Sequence, residues 1–189
     1  MSRPRPAHAV KLVASIFSAD WSDIGAAIDT LTVRFGKPDF VSAGMPFAET
    51  DYYEEEMGKL LVRRMVSFGP LIRPEALPEI KCLTNRMEAL HEQGDQRRVN
   101  IDPGYLSPSH LILATGKGYS HRPYLRDGIY ADLTLIFSDG TFRPLPWTYP
   151  DYAGRQMIGL LNRVREKYLL DLKNAAGGSG EDEDRCKES

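Results

Sequence analysis

The chain has only two cysteines in 189 residues, Cys82 within a helical pattern and Cys186 in a polar tail. Neither their number nor their setting supports a disulfide framework or a thiolate metal centre. Net charge is equally scarce: 24 basic residues against 26 acidic ones leave a formal −2, with a pI near 6.1. That balance gives no global attraction to nucleic acid or to an anionic membrane, so neither is an expected partner. No apolar run approaches the roughly 20 residues of a membrane-spanning helix. The apolar run near the amino terminus, 10–17, ends at Phe17 and leads into helix-capping residues, so it reads as a first strand and not as a secretion signal. There is no internal repeat, and no set of metal ligands stands at a diagnostic spacing. These absences make a reduced, cytoplasmic setting the expectation and leave cofactor and oligomeric state unspecified.

What the chain does have is a globular composition, 42% hydrophobic and 26% charged, at a length that can bury one ordinary core. A single domain is expected over 1–173. The remainder, 174–189, ends in AAGGSGEDEDRCKES, which carries no large apolar side chain and should be disordered.

Along the chain, 10–17 predicts a buried strand. Ile24, Ala27, Ile28, Leu31 and Phe35 recur at three- and four-residue spacing, which predicts an amphipathic helix capped within 18–22 and ended by Gly36 and Pro38. The segment 39–48 is strand-like but broken by Gly44 and Pro46. Five carboxylates flank Tyr52 and Tyr53 in 49–58 and read as a solvated turn. A strand over 60–68 follows, then a second helix from Leu77 with Ile80, Leu83, Thr84, Met87 and Leu90 on one face. A strand starting at Arg98 leads to Ile101 and a turn at Pro103-Gly104. Ser107-Pro108 reads as the cap and first turn of a short apolar helix over 108–115. A hairpin is expected from 129–137 and 141–145 around Ser138-Asp139-Gly140, and a last helix from Asp151, as its cap, to Lys173. The order strand, helix, strand, strand, helix, strand predicts an α+β fold: a ferredoxin-like split βαβ core extended by a C-terminal β-hairpin and helix.

The uncommon chemistry gathers in 97–126 and 145–152. Asp102 and His121 are the candidate proton-transfer groups, His121 because imidazole titrates near neutrality. Asn100, Tyr105, Lys117 and Arg122 are candidate ligand-binding residues: Asn100 shares a strand face with Asp102, while Lys117 and Arg122 suit an anion, one as a point charge and one as a fork. Each has a plainer use. Asp102 can bond turn amides, His121 a carbonyl, the two cations water, and Tyr105, Tyr124, Trp147, Tyr149 and Tyr152 can pack.

The blocks TDYYEEEMG (50–58), VNIDPGYL (99–106), SHRPYL (120–125), GIYADLTLIF (128–137) and PLPWTYPDY (144–152) together resemble the prokaryotic domain-of-unknown-function family numbered 4416, over most of the ordered chain. The resemblance implies no established reaction. Some members carry a GTP-binding label, but a P-loop needs a glycine where this chain has Leu111 and a hydroxyl residue where it has Gly118. Two readings follow from the residues. In the first, the chain is an enzyme or binder of a small anionic molecule, such as a phosphorylated one, with Asp102 and His121 in proton transfer. In the second it is a non-catalytic interaction module whose motifs only fix turns and whose hairpin edge engages a protein. The first requires the motifs to meet in one concavity and the second lets them scatter.

Overall fold

All nine residues of the first strand, β1 (Val10–Ser18), are buried, so both faces of the sheet that contains it must be covered. The computed structural model describes residues 3–47, 57, 60–90 and 97–178. Among them β1 is joined by β2 (Pro38–Val41), β3 (Met45–Phe47), β4 (Leu61–Ile72), β5 (Val99–Leu106), β6 (His110–Thr115), β7 (Tyr124–Arg126), β8 (Ile129–Ser138) and β9 (Thr141–Pro144). They form one nine-stranded sheet in the order β2-β4-β1-β5-β6-β8-β7, with β3 on β4 and β9 on β8. Every pairing is antiparallel. With helices on both sides of this sheet, the protein is α+β.

Alternation along β1 sorts the two cores. Leu12, Ala14 and Ile16 turn to one face, where Val66, Phe68, Val99 and Ile101 join them beneath α1 (Trp21–Phe35) and α2 (Leu77–Leu90). On the other face Val13, Met65, Leu106, Leu111, Leu113 and Leu135 meet α4 (Arg155–Gly178) through Met157, Leu160, Leu161, Val164 and Tyr168. Between β9 and α4 lies one helical turn, α3 (Pro150–Ala153). The first helix is capped as its sequence predicts: the Asp20 carboxylate accepts from Ser22 N at 2.8 Å, and Gly36 closes it at φ +85°. Burying Ile24 and Leu31 contributes about 1.5–3 kcal/mol each, more than any propensity term along the helix.

Lys11 is fully buried on the α4 face. Its Nζ donates to Asp39 at 2.8 Å, Asp171 at 2.6 Å and the carbonyls of Phe68 and Gly69 at 3.1 and 3.2 Å. A buried ammonium is tolerated only when surrounded by acceptors in this way.

Several expectations are corrected. The broken segment 39–48 resolves into two short strands, and Gly44 is required there because a Cβ would run into the Trp21 indole. Pro103-Gly104 is no turn but the middle of β5. The stretch 108–115 is not a helix: His110–Thr115 is β6, and Ser107, instead of capping a helix, accepts from the amides of Ser109 and His110 in the turn before it. An apolar run of six residues has no period that separates strand from helix, and here pairing with β5 and β8 decides. Asp151 is not a cap; it sits in the second position of α3, and Gly154, extended at ψ 143°, separates that turn from α4. The last helix continues past Lys173 to Gly178, so the boundary at 173 cuts an element; 179–189 and the acidic segment 49–58, apart from Met57, lie outside the described residues. The hairpin stands as expected, with Asp139 and Gly140 at φ +50° and +79°.

At Gly104 the two strands β5 and β6 pass so close that a Cβ on it would collide with the Ile112 carbonyl oxygen. Gly104→Ala should therefore cost about 1–3 kcal/mol by forcing the strands apart. Gly116→Ala, with nothing within 4 Å, should change stability by less than about 0.5 kcal/mol. Urea titrations of the two variants compare them; equal losses would mean that the close approach does not limit β5–β6 pairing.

Candidate functional site

The site begins as a defect in the sheet. β5 and β6 pair only over Gly104–Leu106 and Leu111–Leu113, so the amino-terminal half of β5 has β1 on one side and, among the described residues, no strand on the other. A buried amide or carbonyl left there would cost about 1–3 kcal/mol. Two side chains of α2 stand in for the missing strand: Glu88 Oε1 accepts from Ile101 N at 2.8 Å, and Lys81 Nζ donates to Ile101 O at 3.0 Å. By strand alternation the backbone nitrogen of Pro103 faces the same open side, which is where proline, having no N–H, costs no ladder bond.

A polar network grows from this edge. Lys81 also reaches Asp102 Oδ1 at 3.1 Å, and Asn100 Nδ2 donates to Asp102 Oδ2 at 2.7 Å. Arg97 Nη1 donates to Glu88 Oε2 at 3.2 Å and to Asn100 Oδ1 at 3.1 Å. Burial raises the Glu88 pKa above its ordinary 4.5; Lys81, the Ile101 amide and Arg97 only partly oppose that.

Where the strands part, a cavity of about 680 Å³ opens, a size suited to a small-molecule ligand. In sheet order its lining runs from Arg63 of β4 and Phe17 of β1, through Asn100 and Asp102 of β5 with Lys81 and Glu88 of α2 beside them, to Asp132 of β8, which holds Arg122; Phe47, Lys117 and 149–152 complete it. Arg122 Nε donates to Asp132 Oδ2 at 2.8 Å, Nη1 to Lys117 O at 3.2 Å and Nη2 to the Tyr149 hydroxyl at 3.2 Å. Asp151 pairs with Arg63. Tyr152 is buried, and its phenol is pushed well above the usual range, first by burial.

Of the residues singled out from sequence, Asn100, Asp102, Lys117 and Arg122 line this cavity. His121 stands behind it: its ring stacks on Trp147 at 5.0 Å, Tyr119 meets it edge-on at 5.2 Å, and Nε2 lies 3.9 Å from Asp132 Oδ2 without a hydrogen bond. Tyr105 is on the opposite face of β5, packed with Leu77, Ala114 and Ile129, and its phenol is raised by burial. Gly116-Lys117-Gly118 leads to the Tyr119–Arg122 bridge and then β7, so no helix follows to hold phosphate as in a P-loop. Among the described residues no three His, Cys, Asp or Glu side chains are grouped to hold a metal, and no helix is long and apolar enough to cross a membrane.

Sequence reasoning missed Lys81, Glu88, Arg63 and Asp132. A signal was present for the first two: Leu77, Ile80, Thr84 and Met87 define the buried stripe of α2, and Lys81 and Glu88 fall within it. Arg63 similarly falls on the buried alternation of β4, in phase with Leu61 and Met65.

Because the folded chain protonates Glu88 more readily than the unfolded chain does, the folded state binds more protons above pH 4.5. Stability should then fall as pH rises from there through the raised pKa. Glu88→Gln, whose amide oxygen can still accept from Ile101 N, should flatten that fall. Urea titrations from pH 4.5 upward measure it, and equal slopes in both proteins would show that Glu88 stays ionised at no cost.

The model of the family described as Domain of unknown function (DUF4416) matches residues 8–168, which takes in every wall of the cavity. No curated protein and no solved structure matches the chain.

Proposed function

The chain belongs to the family whose model matches it, and we propose that its cavity binds a small anionic molecule such as a phosphorylated one, with Lys117 and Arg122 holding the anion. One observation carries this reading: blocks far apart in sequence, 99–106, 117–122 and 149–152, meet around one cavity whose walls hold buried charge. Burying Lys81, Glu88, Arg63 and Asp132 costs desolvation that an apolar filling would avoid, and turn maintenance does not require it. Scattered motifs, as the interaction-module reading expects, would leave that burial without a use. The order β2-β4-β1-β5, with a helix before and after β4, supports a ferredoxin-like split βαβ unit as the frame of the site. A cytoplasmic setting agrees with the scarcity of cysteine in the sequence.

In this reading Asp102, at the centre of the cavity, accepts a proton or a hydroxyl hydrogen bond from the ligand. His121 acts one step removed, by backing the Asp132 carboxylate that orients Arg122. Tyr105, turned to the other face, supports the strand and does not touch the ligand.

A thermal-shift screen of inorganic phosphate, nucleotides, sugar phosphates and divalent cations tests this. A ligand at a hundred times its Kd stabilises the native state by about 2.7 kcal/mol, a rise of several degrees. Lys117→Gln, at an exposed position, should lose most of that rise while changing the melting of the free protein far less. Asp102→Asn should also lose it, and should lower the free protein's stability by about 1 kcal/mol through its bond to Lys81. If no anion shifts the melting of the unaltered chain, the reading is wrong.

A further inference from the structure

Arg63 is a cavity cation that the single-anion reading does not use. Its guanidinium lies 4.0 Å over the Phe47 ring, with Tyr152 at 5.3 Å and Phe17 at 5.8 Å, and its side chain is 6% exposed. Among the described residues Asp151 is its one polar partner, through Nη1, and Nε is buried with no acceptor. A guanidinium carries five N–H donors in a fork that fits two oxygens of an anion. The aromatic rings hold this one in place and one carboxylate uses one edge, so most of its donors remain for whatever fills the cavity it lines.

Lys117 and Arg122 stand at the other end. From β4, which carries Arg63, to β8, which carries the Asp132 that holds Arg122, the sheet runs β4-β1-β5-β6-β8, four strand spacings or on the order of 19 Å at the backbone. Between the cationic ends, Asn85, Asn100, Asp102 and Thr115 offer amide, carboxylate and hydroxyl groups, the partners that hydroxyls bond. Arg63 and Arg122 are each held by a separate carboxylate, Asp151 and Asp132, so the cavity offers two anion contacts and not one. We propose that the ligand is a two-ended anion, a polyhydroxylated chain with a phosphoryl or carboxyl group at each end, and that Arg63 is the specificity-determining residue for the second group. The inference rests on the reading of the cavity as a site for a small anion and adds the second pole.

Calorimetric titration of the full chain with two matched pairs tests it: fructose 6-phosphate against fructose 1,6-bisphosphate, and gluconate against glucarate. The two-ended member of one pair should bind at least about tenfold more tightly than its one-ended partner, and which pair does so identifies phosphoryl or carboxyl as the terminal group. Arg63→Lys, which keeps the charge beside Asp151 but loses the fork, should erase that ratio and leave one-ended binding in place. The Arg63 Nε–H resonance in ¹⁵N spectra of the unaltered chain should move with the two-ended probe and not with the one-ended one, a readout that stands even where the variant folds poorly. One-ended probes that bind as tightly as two-ended ones, with the Arg63 resonance unmoved, would overturn the second pole and leave the single-anion reading intact. Absence of binding by all four would overturn both.

Discussion

The backbone amide and carbonyl of Ile101 are completed by Glu88 and Lys81, at 2.8 and 3.0 Å, instead of by a neighbouring strand, and the cavity exists because of that substitution. Had β6 continued alongside β5, the same two backbone groups would be satisfied by ladder bonds with no charge to desolvate. Moving a carboxylate and an ammonium out of water costs several kcal/mol per ion, recovered only when their remaining lone pairs and protons are bonded. Here each ion finds a further partner: Glu88 also takes Arg97, and Lys81 also takes Asp102. The arrangement is tolerable as structure but has no advantage as structure over a continuous strand. What it gains is an open, polar, rigidly edged gap in the middle of a sheet, backed by α2 and reached by side chains of six strands.

A second buried ammonium holds the opposite end of β1. Lys11 is bound by four oxygens from β2, β4 and α4, so it ties the edge of the sheet to the helix that covers it. The two networks respond to acid with opposite sign. Burial pushes Asp39 up, but the bonds from Lys11 and Ser67 outweigh that and leave its pKa below the ordinary 3.8. Its contribution is therefore present above that value and lost as pH falls through the lowered one. Glu88 is raised instead, and its ionisation costs stability as pH rises. The Asp39 end anchors the fold, whereas the Glu88 end carries a strain that the cavity imposes.

The sequence was legible wherever one local signal decided the outcome. The Val-, Leu-, Ile- and Phe-rich run of β1, the Asp20 cap with Gly36 after the last turn of α1, and the Asp139-Gly140 hairpin were each set by neighbours in sequence. It was misleading where a partner far away decided. Pro103-Gly104 has the composition of a turn, yet proline is accepted there because the edge of β5 is open, and glycine is needed because Ile112 crosses close by. Ser107-Pro108 reads as a helix start, but the six residues after it are held as strand by β5 and β8. The same limit applies to the site. Asn100 and Asp102 could be paired from strand alternation alone, and Lys117 and Arg122 from their shared loop. Arg63, Lys81 and Glu88 belong to the cavity only because the sheet opens beside β5, which no local pattern records.

The segment 145–152 fixes the dimensions of that opening. Trp147 Nε1 donates to Leu133 O at 2.9 Å and Thr148 Oγ1 to Thr134 O at 2.6 Å, which fastens the segment to β8. His121 is stacked on the same Trp147, so the loop carrying Lys117 and Arg122 is held by the same anchor. From there the chain runs as one helical turn begun by Pro150. Tyr149 reaches Arg122 on one side of that turn, and Asp151, two residues on, reaches Arg63 on the other. The cations at the two ends of the cavity are thus positioned by residues joined through a single proline, whose fixed φ leaves the span little freedom. On the two-ended reading we propose, a ligand that bridges the cations would meet a preset length and would not set one by induced closure, and a preorganised site of this kind loses less entropy on binding.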